Sequence, residues 1–575
     1  MIQQIDYFVI APPLALALVA GLVLLLDAFL PARPRTKTVL GLVTLAGVLI
    51  ALGLVVTQAI RGGPPRSTFC VPADLAAPAG LCSFVVDRFT LVFAGMVLVA
   101  AVVIVLMSMT ELAAGGIPVG EWYFLLLCTL VGAVTLPASR DLIMLVVALE
   151  LVSLPVFALT AMKRYDGRSS EAAVKLFVVS VVSTAVMLFG VSLLYGIAGT
   201  VYLSRLAAVF SGRAPAPGVA AGTALAAGQD LPAVGTVGVV LVVAGFAFKI
   251  AAVPFHSWAA DVYQGAPVPV AALLSVISKA AGFAGLILVL VTGLSGQAAT
   301  WAPIMGIIAA LTMTAGNLLA MRQRSAVRLL AWSSVAQSGY ILAPLATAAA
   351  ATAQGATATA ALHAPTAATA ALHTPAAATA ALHAPTAATG PATATLHTPA
   401  LTAVMDSATP PETMPMGAIS ASMAYLVIYA AMNLGAFAVV MLVSRTATRN
   451  ELDDYRGLAF RRPAAGLALA FCLVCLAGLP PGLAGLFAKV FVFREIVEGG
   501  SGWLALIMAV NTVIGLYYYA VWAARLVTPA KATAPTRHRP PPATWLAIGL
   551  ALVAAVLFSI APQLVLNMTS FSAFG

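Results

Sequence analysis

The strongest constraint on this chain is a succession of fourteen apolar stretches of roughly 20 residues, the length an α-helix needs to cross a ~30 Å bilayer core. They lie near 8–30, 38–60, 84–108, 121–138, 140–162, 171–198, 233–253, 268–294, 303–321, 325–347, 417–444, 464–497, 501–525 and 543–567. In hydrocarbon every backbone N–H and C=O must be satisfied internally, so runs of this length select helices. The expected fold class is an all-α polytopic membrane protein with about 14 transmembrane helices. Only 8% of the 575 residues are charged, against about 25% in a soluble domain, so one large bundle is expected rather than several soluble units. Residues 8–30 follow no basic segment and are long enough to span, so they read as the first helix and not as a cleavable signal.

The cations then orient the bundle. Loops after odd-numbered spans hold eighteen Lys and Arg, whereas those after even-numbered spans hold seven: Arg61, Arg66, Arg88, Arg140, Arg205, Arg213 and Arg494. By the positive-inside rule the odd loops are cytoplasmic and both termini face outward. The net charge of +10 therefore implies a membrane bias and not a nucleic-acid partner. Four cations remain, Lys175, Lys249, Lys279 and Lys489, and all of them fall inside spans.

Ionisable residues within a bilayer are costly and mark ion paths by default. Lys249 in span seven and His256 just past it flank Pro254, which strips the hydrogen bond from the Ile250 carbonyl four residues earlier and would place a free carbonyl beside the ammonium. Span twelve repeats the device: Pro480 and Pro481 free the carbonyls of Leu476 and Ala477, and Lys489 follows. Glu150 lies ten residues past Arg140, about 15 Å deep at ~1.5 Å per residue, and Lys279 sits at similar depth in span eight. Two broken spans lying five apart suggest two inverted five-helix repeats, with helices seven and twelve discontinuous. The corresponding divisions are 1–120 (helices one to three), 121–294 (first repeat), 303–345 with 417–525 (second repeat), and 543–567 (last helix).

Other features weigh less. Lys175 follows Glu171 by four residues, which is either an ordinary helical ion pair or a proton relay on the uptake side. His256 either shuttles protons or bonds the freed carbonyls of the break. Asp261 and Asp27 read as interfacial. Cys472 and Cys475 form C-x-x-C within an apolar span, with no second pair to complete a zinc site, and read as packing residues. Cys70 and Cys82 share the second loop and either close it as a disulfide or remain two thiols. Residues 346–416 form an extracytoplasmic Ala/Thr/Pro insert with repeats such as ALHAPTAATA, whose His363, His373, His383 and His397 could bind metal but whose composition is that of low complexity. No nucleotide-binding Gly-rich loop and no cysteine set for an iron–sulfur cluster occurs, so no cofactor is expected in this chain.

KIAAVPFHSWAADVYQGAPVPV, ISKAAGF, RLLAWSSVAQSGY, YAAMNLGAFAVV and GLPPGLAGLFAKVFVF resemble the antiporter-like membrane subunits of the proton-translocating NADH–quinone oxidoreductase, respiratory complex I, over about residues 120–525 without the insert. The DVYQGAP string is closer to the N-type subunits than to their sisters or to cation/proton antiporters. The resemblance implies a multi-pass protein of the bacterial cell membrane, part of a translocase, working beside other membrane-arm subunits. NADH, FMN, iron–sulfur clusters and quinone would sit in partner subunits. It also implies that Glu150 and Lys249 form a charge pair, that Lys279 is the central lysine and that Lys489 is the terminal one. A cation/proton antiporter without redox coupling and a passive scaffold are the other readings.

Overall fold

The structure is a computed structural model, and it describes residues 5–31, 33–72, 81–163, 166–212, 233–349, 416–447, 449–529 and 541–570. Nearly all of the insert, with its four histidines, lies outside the described residues.

The first helices are α1 (Ala11–Phe29) and α2 (Pro34–Arg61), each opened by a proline that needs no helical N–H partner. Two antiparallel strands follow, β1 (Arg66–Cys70) and β2 (Cys82–Val86), with Thr68 opposite Phe84 and Cys70 opposite Cys82. The all-α fold class holds, with one local addition that the sequence did not reveal: Thr68, Phe69, Phe84, Val85 and Val86 form a β-branched and aromatic hairpin outside the spans, and a disulfide joins Cys70 to Cys82.

Then come α3 (Arg88–Ala113), α4 (Val119–Thr135), α5 (Leu142–Ala161), α6 (Gly167–Ala198) and a short α7 (Leu203–Phe210) that the apolar pattern did not reveal. The next span is split into α8 (Ala233–Lys249) and α9 (Trp258–Gly265), separated at Pro254. The helix α10 (Val268–Gly293) contains π turns at Leu274–Ser278 and Leu288–Gly293. After it run α11 (Ala298–Ala320), α12 (Ala326–Leu342) and α13 (Met416–Ser444). A second split span gives α14 (Pro463–Ala477) and α15 (Leu483–Glu498), separated at Pro480 and Pro481. The chain ends with α16 (Gly502–Val527), α17 (Pro542–Ile560) and α18 (Pro562–Thr569).

Among the described residues eleven helices are long and apolar enough to cross a membrane. The three other expected spans are the two split helices and α12, which a 3-10 turn over Ala343–Thr347 extends. Apolar composition does not rank the helices, but burial does. α10 and α13 are buried almost throughout and form the centre, whereas α1 and α6 bury one face only and present the other outward.

Two halves of the bundle share a backbone register. Asp141, before α5, bridges Tyr202, beyond α6; Ser325, before α12, bridges Glu451, beyond α13. The offset that carries Asp141 to Ser325 also carries Gly132 to Gly316 and Val152 to Ala336. Gly132 of α4 abuts the Val152 backbone, and Gly316 of α11 abuts the Ala336 backbone, so a Cβ at either would lie under 3.0 Å from it. Small residues let helix backbones approach this closely where no hydrophobic effect drives them together. The same offset carries Glu150 to Ser334.

Candidate functional site

The site is built on three buried lysines, each beside a disturbed helix. Lys249 ends α8, where the chain leaves helical geometry at Ala251 (φ 56°) ahead of Pro254. Its Nζ donates to Glu150 Oε1 at 3.0 Å, to Ser153 Oγ at 2.7 Å and to Ser180 Oγ at 3.1 Å. The Lys249 side chain is 6% exposed and that of Glu150 is 23% exposed. Thr184 donates its hydroxyl to the same Glu150 oxygen at 2.7 Å. α5 and α6 thus supply the ammonium's hydrogen-bond partners among the described residues, and α10 packs Gly282 against Lys249 Cβ.

The charge pair that the resemblance implied is present as a contact. The freed Ile250 carbonyl, expected beside the ammonium, is taken by another group: Ser338 of α12 donates to it at 2.8 Å. A hydroxyl satisfies the break, and the lysine is left to the carboxylate. Ser153, Ser180 and Lys249 line a cavity of about 20 Å³ that reaches Leu274 and Ser278 of α10, enough space for one water.

Lys279 is 2% exposed. It donates to both the carbonyl and the hydroxyl oxygen of Ser334, and Tyr429 donates to that hydroxyl at 2.8 Å. No carboxylate pairs with it among the described residues. A π turn ends at Ser278, immediately before it; π turns of this kind often mark functional positions in helices.

Lys489 of α15 donates to the Leu476 carbonyl at 3.1 Å and the Ala477 carbonyl at 2.7 Å, the two that Pro480 and Pro481 free. Its ammonium also lies 5.7 Å from the centre of the Tyr340 ring.

Between Lys279 and Lys489 runs a polar belt that residue-type reasoning missed, because it carries no charge. Ser333 pairs with Tyr519, Gln337 accepts from Tyr425 at 2.5 Å and donates to Tyr519 at 3.3 Å, and Asn317 donates to Tyr340 at 3.3 Å. Hydroxyls and amides buried this deeply are retained at a cost unless hydrogen-bonded, and these are. The signal was available: SSVAQSGY places five polar residues inside one apolar span.

Two expected residues stand apart. Lys175 is 44% exposed and lies 2.6 Å from Glu171 and 3.1 Å from Asp261, so three of the in-span lysines are buried and not four. Asp261 of α9 also accepts from Arg328 Nη1 at 2.7 Å, joining α6, α9 and α12 at one face of the bundle. Partial burial pushes the Asp261 carboxyl up, but the hydrogen bonds from Arg328 and Lys175 outweigh it and hold the group below the usual carboxylate range. His256 does not bond the freed Ile250 carbonyl. Its Nδ1 has no hydrogen-bond partner among the described residues, and its ring meets Trp332 edge-on at 5.6 Å.

Residues 139–383 and 412–515 match the family described as NADH:quinone oxidoreductase/Mrp antiporter, transmembrane. The chain belongs to that family. It is 44% identical to NADH-quinone oxidoreductase subunit N 2 of Streptomyces griseus, over all of this chain and 95% of the relative. Among solved structures it is similar to a chain of respiratory complex I from Thermus thermophilus with bound aureothin, with 25% identity, TM-score 0.66, and coverage of 97% of this chain and 98% of that one. A chain of the Mrp complex from a Dietzia species shares the fold at 19% identity and TM-score 0.69, covering 97% of this chain and 96% of that one.

Proposed function

We propose that this chain moves protons across the bacterial cell membrane as a membrane-arm subunit of an NADH-quinone oxidoreductase, driven by quinone reduction in partner subunits. The reading rests first on the Lys249–Glu150 pair, which joins an ammonium to a carboxylate across 3.0 Å inside a broken span. An ammonium removed from water is disfavoured relative to the neutral amine, and a nearby carboxylate offsets the penalty. Drawing Glu150 away from Lys249 would therefore drive proton release. Breaking a buried pair costs about 3–5 kcal/mol, and moving a proton against the membrane potential costs roughly 2.3 kcal/mol per 100 mV. The two are of one scale, so pair-breaking is of the size the transfer needs. Lys279 would relay the proton through Ser334 and the tyrosine–amide belt, and Lys489 would pass it on or sense the neighbouring subunit. Lys175 and His256 are the secondary relay candidates.

The family and the similarity to the Streptomyces griseus relative support this assignment. NADH, FMN, iron–sulfur clusters and quinone then belong to partner subunits, and the neighbours of this chain are sister antiporter-like subunits. We assign fourteen crossings with both termini outside, and two inverted repeats over 121–294 and over 303–345 with 417–525. A redox-independent cation/proton antiporter would use the same lysines, and the Mrp likeness supports that fold without deciding the activity. The readings separate in vesicles carrying the assembled complex. NADH-driven acidification that stops without NADH or quinone, and that falls in Lys249→Met, fits the proposal. Proton flux that persists without either substrate fits the antiporter.

A further inference from the structure

We propose that the chain binds an anionic glycerophospholipid in a cavity of about 650 Å³ under the β1–β2 hairpin. The cavity is walled by Phe8 and Val9 before α1, the end of α2, Leu91 and Val92 at the start of α3, and Met568 of α18. Every one of these segments is the end of a helix or the chain beside one, so the cavity opens where spans leave the apolar layer. Its volume lies within the range of a ligand pocket, about 300–1,000 Å³, and most of its lining is apolar.

Its mouth is cationic. Arg66 and Arg88 line it, and Arg61 and Arg66 both lie over the Phe8 ring, at 4.4 and 5.3 Å from its centre. All three arginines are exposed, and none forms an ion pair among the described residues. Arg88 also donates to the Asn567 and Met568 carbonyls, which holds α18 against the cavity. The carboxylate in the lining, Asp87, is already engaged by Arg140 at 2.6 Å and by the Thr90 backbone N–H at 2.9 Å, so it does not neutralise the mouth.

Gathering like charges without a counter-ion costs energy unless an anion completes the site. Three of the seven cations on the cation-poor face of the bundle stand here, against the bias that sets orientation. Guanidinium groups are suited to phosphate oxygens through paired hydrogen bonds. A phosphate at the mouth with acyl chains along Val9, Leu91, Val92 and Met568 satisfies both halves of the cavity, whereas a free phosphate satisfies only the first. The disulfide between Cys70 and Cys82 fixes the hairpin that roofs it.

The test uses the assembled complex in detergent, with a phosphatidylglycerol carrying a photoactivatable diazirine on its acyl chain. We expect crosslinks in peptides containing Leu91, Val92 and Met568, competed by unlabelled dioleoylphosphatidylglycerol and not by dioleoylphosphatidylcholine or inorganic phosphate. In the double variant Arg61→Gln/Arg66→Gln, labelling at those peptides should fall by about tenfold. Leu91→Trp should abolish labelling with the arginines intact. Absence of crosslinks there, equal competition by the choline lipid, or displacement by phosphate alone would overturn the proposal. The competition in the unmodified complex decides the matter even if a variant fails to assemble.

Discussion

Ser334 occupies in one half of the bundle the register position that Glu150 occupies in the other, and each receives a hydrogen bond from a buried lysine. Glu150 offers Lys249 a full charge. Ser334 offers Lys279 a hydroxyl and a carbonyl. The two lysines therefore stand in different electrostatic states: the first is compensated, and the second is held by dipoles alone. On the proposed reading this asymmetry assigns the gate to Lys249, which has a counter-charge to lose, and the relay to Lys279, which has only neutral partners.

Ser334→Ala follows from that difference. It removes an acceptor from Lys279 and leaves the Tyr429 hydroxyl without its partner, at a cost of about 1–3 kcal/mol. We expect the complex to assemble and the protons moved per quinone reduced to drop severalfold. Ser334→Thr keeps the hydroxyl and should stay near the parent value. Acidification measured against quinone reduction in sealed vesicles distinguishes the two.

Gly478→Ala tests the second break. Gly478 has φ +82°, and a Cβ there would meet Lys489 Cδ at 3.2 Å and Nζ at 3.3 Å. The left-handed conformation alone costs an alanine roughly 1–2 kcal/mol, and the ammonium would be pressed away from the Ala477 carbonyl. Pumping should decline while quinone reduction persists. Unchanged pumping would mean that the Lys489 position tolerates displacement.

The double change Cys70→Ser/Cys82→Ser should weaken the hairpin by about 2–4 kcal/mol and leave proton transfer unaffected, because the hairpin touches none of the three lysines. Maleimide labelling of Cys70 and Cys82 in the parent protein should appear only after reduction. Heat inactivation of the double variant should begin at a lower temperature.

The helices and the acid–base residues were legible because a bilayer makes both conspicuous. A run of apolar residues has little choice but to be a helix, and a Lys or Glu inside one stands out by type. Pro254, Pro480 and Pro481 marked the breaks for the same reason, since proline removes a backbone donor wherever it stands. Three things were not legible. The hairpin over Arg66–Cys70 and Cys82–Val86 is too short and too close to the spans to show a period. The partner of the freed Ile250 carbonyl, Ser338, lies in another span, and sequence distance says nothing about such neighbours. Of the two readings open for Lys175, the exposed ion pair with Glu171 is the one found; the sequence alone left the choice open because it does not say which face of α6 meets the bundle. The register between the halves became visible only once the bridges of Asp141 and Ser325 could be matched.

The last prediction concerns the pair itself. Lys249→Met keeps the bulk of the side chain and removes its charge, so Glu150 is left with the Thr184 hydroxyl and no cation. The carboxylate then has no cation to alternate with, and the pair cannot cycle between made and broken. Glu150→Gln disables the same unit from the other side: the ammonium keeps Ser153 and Ser180 but loses its counter-charge. Each single change should lower protons moved per quinone reduced by about tenfold or more, given the 3–5 kcal/mol scale of a buried pair. The double change should be little worse than either, because residues acting as one unit are not additive. Lys175→Met should do far less, since its partners Glu171 and Asp261 are each 40% exposed or more and Asp261 keeps Arg328. The measurement is NADH-driven acidification in membranes with normally assembled complex, normalised to quinone reduction. Full pumping in Lys249→Met, or losses that add in the double variant, would remove the pair from the mechanism and leave Lys279 with Ser334 as the switch.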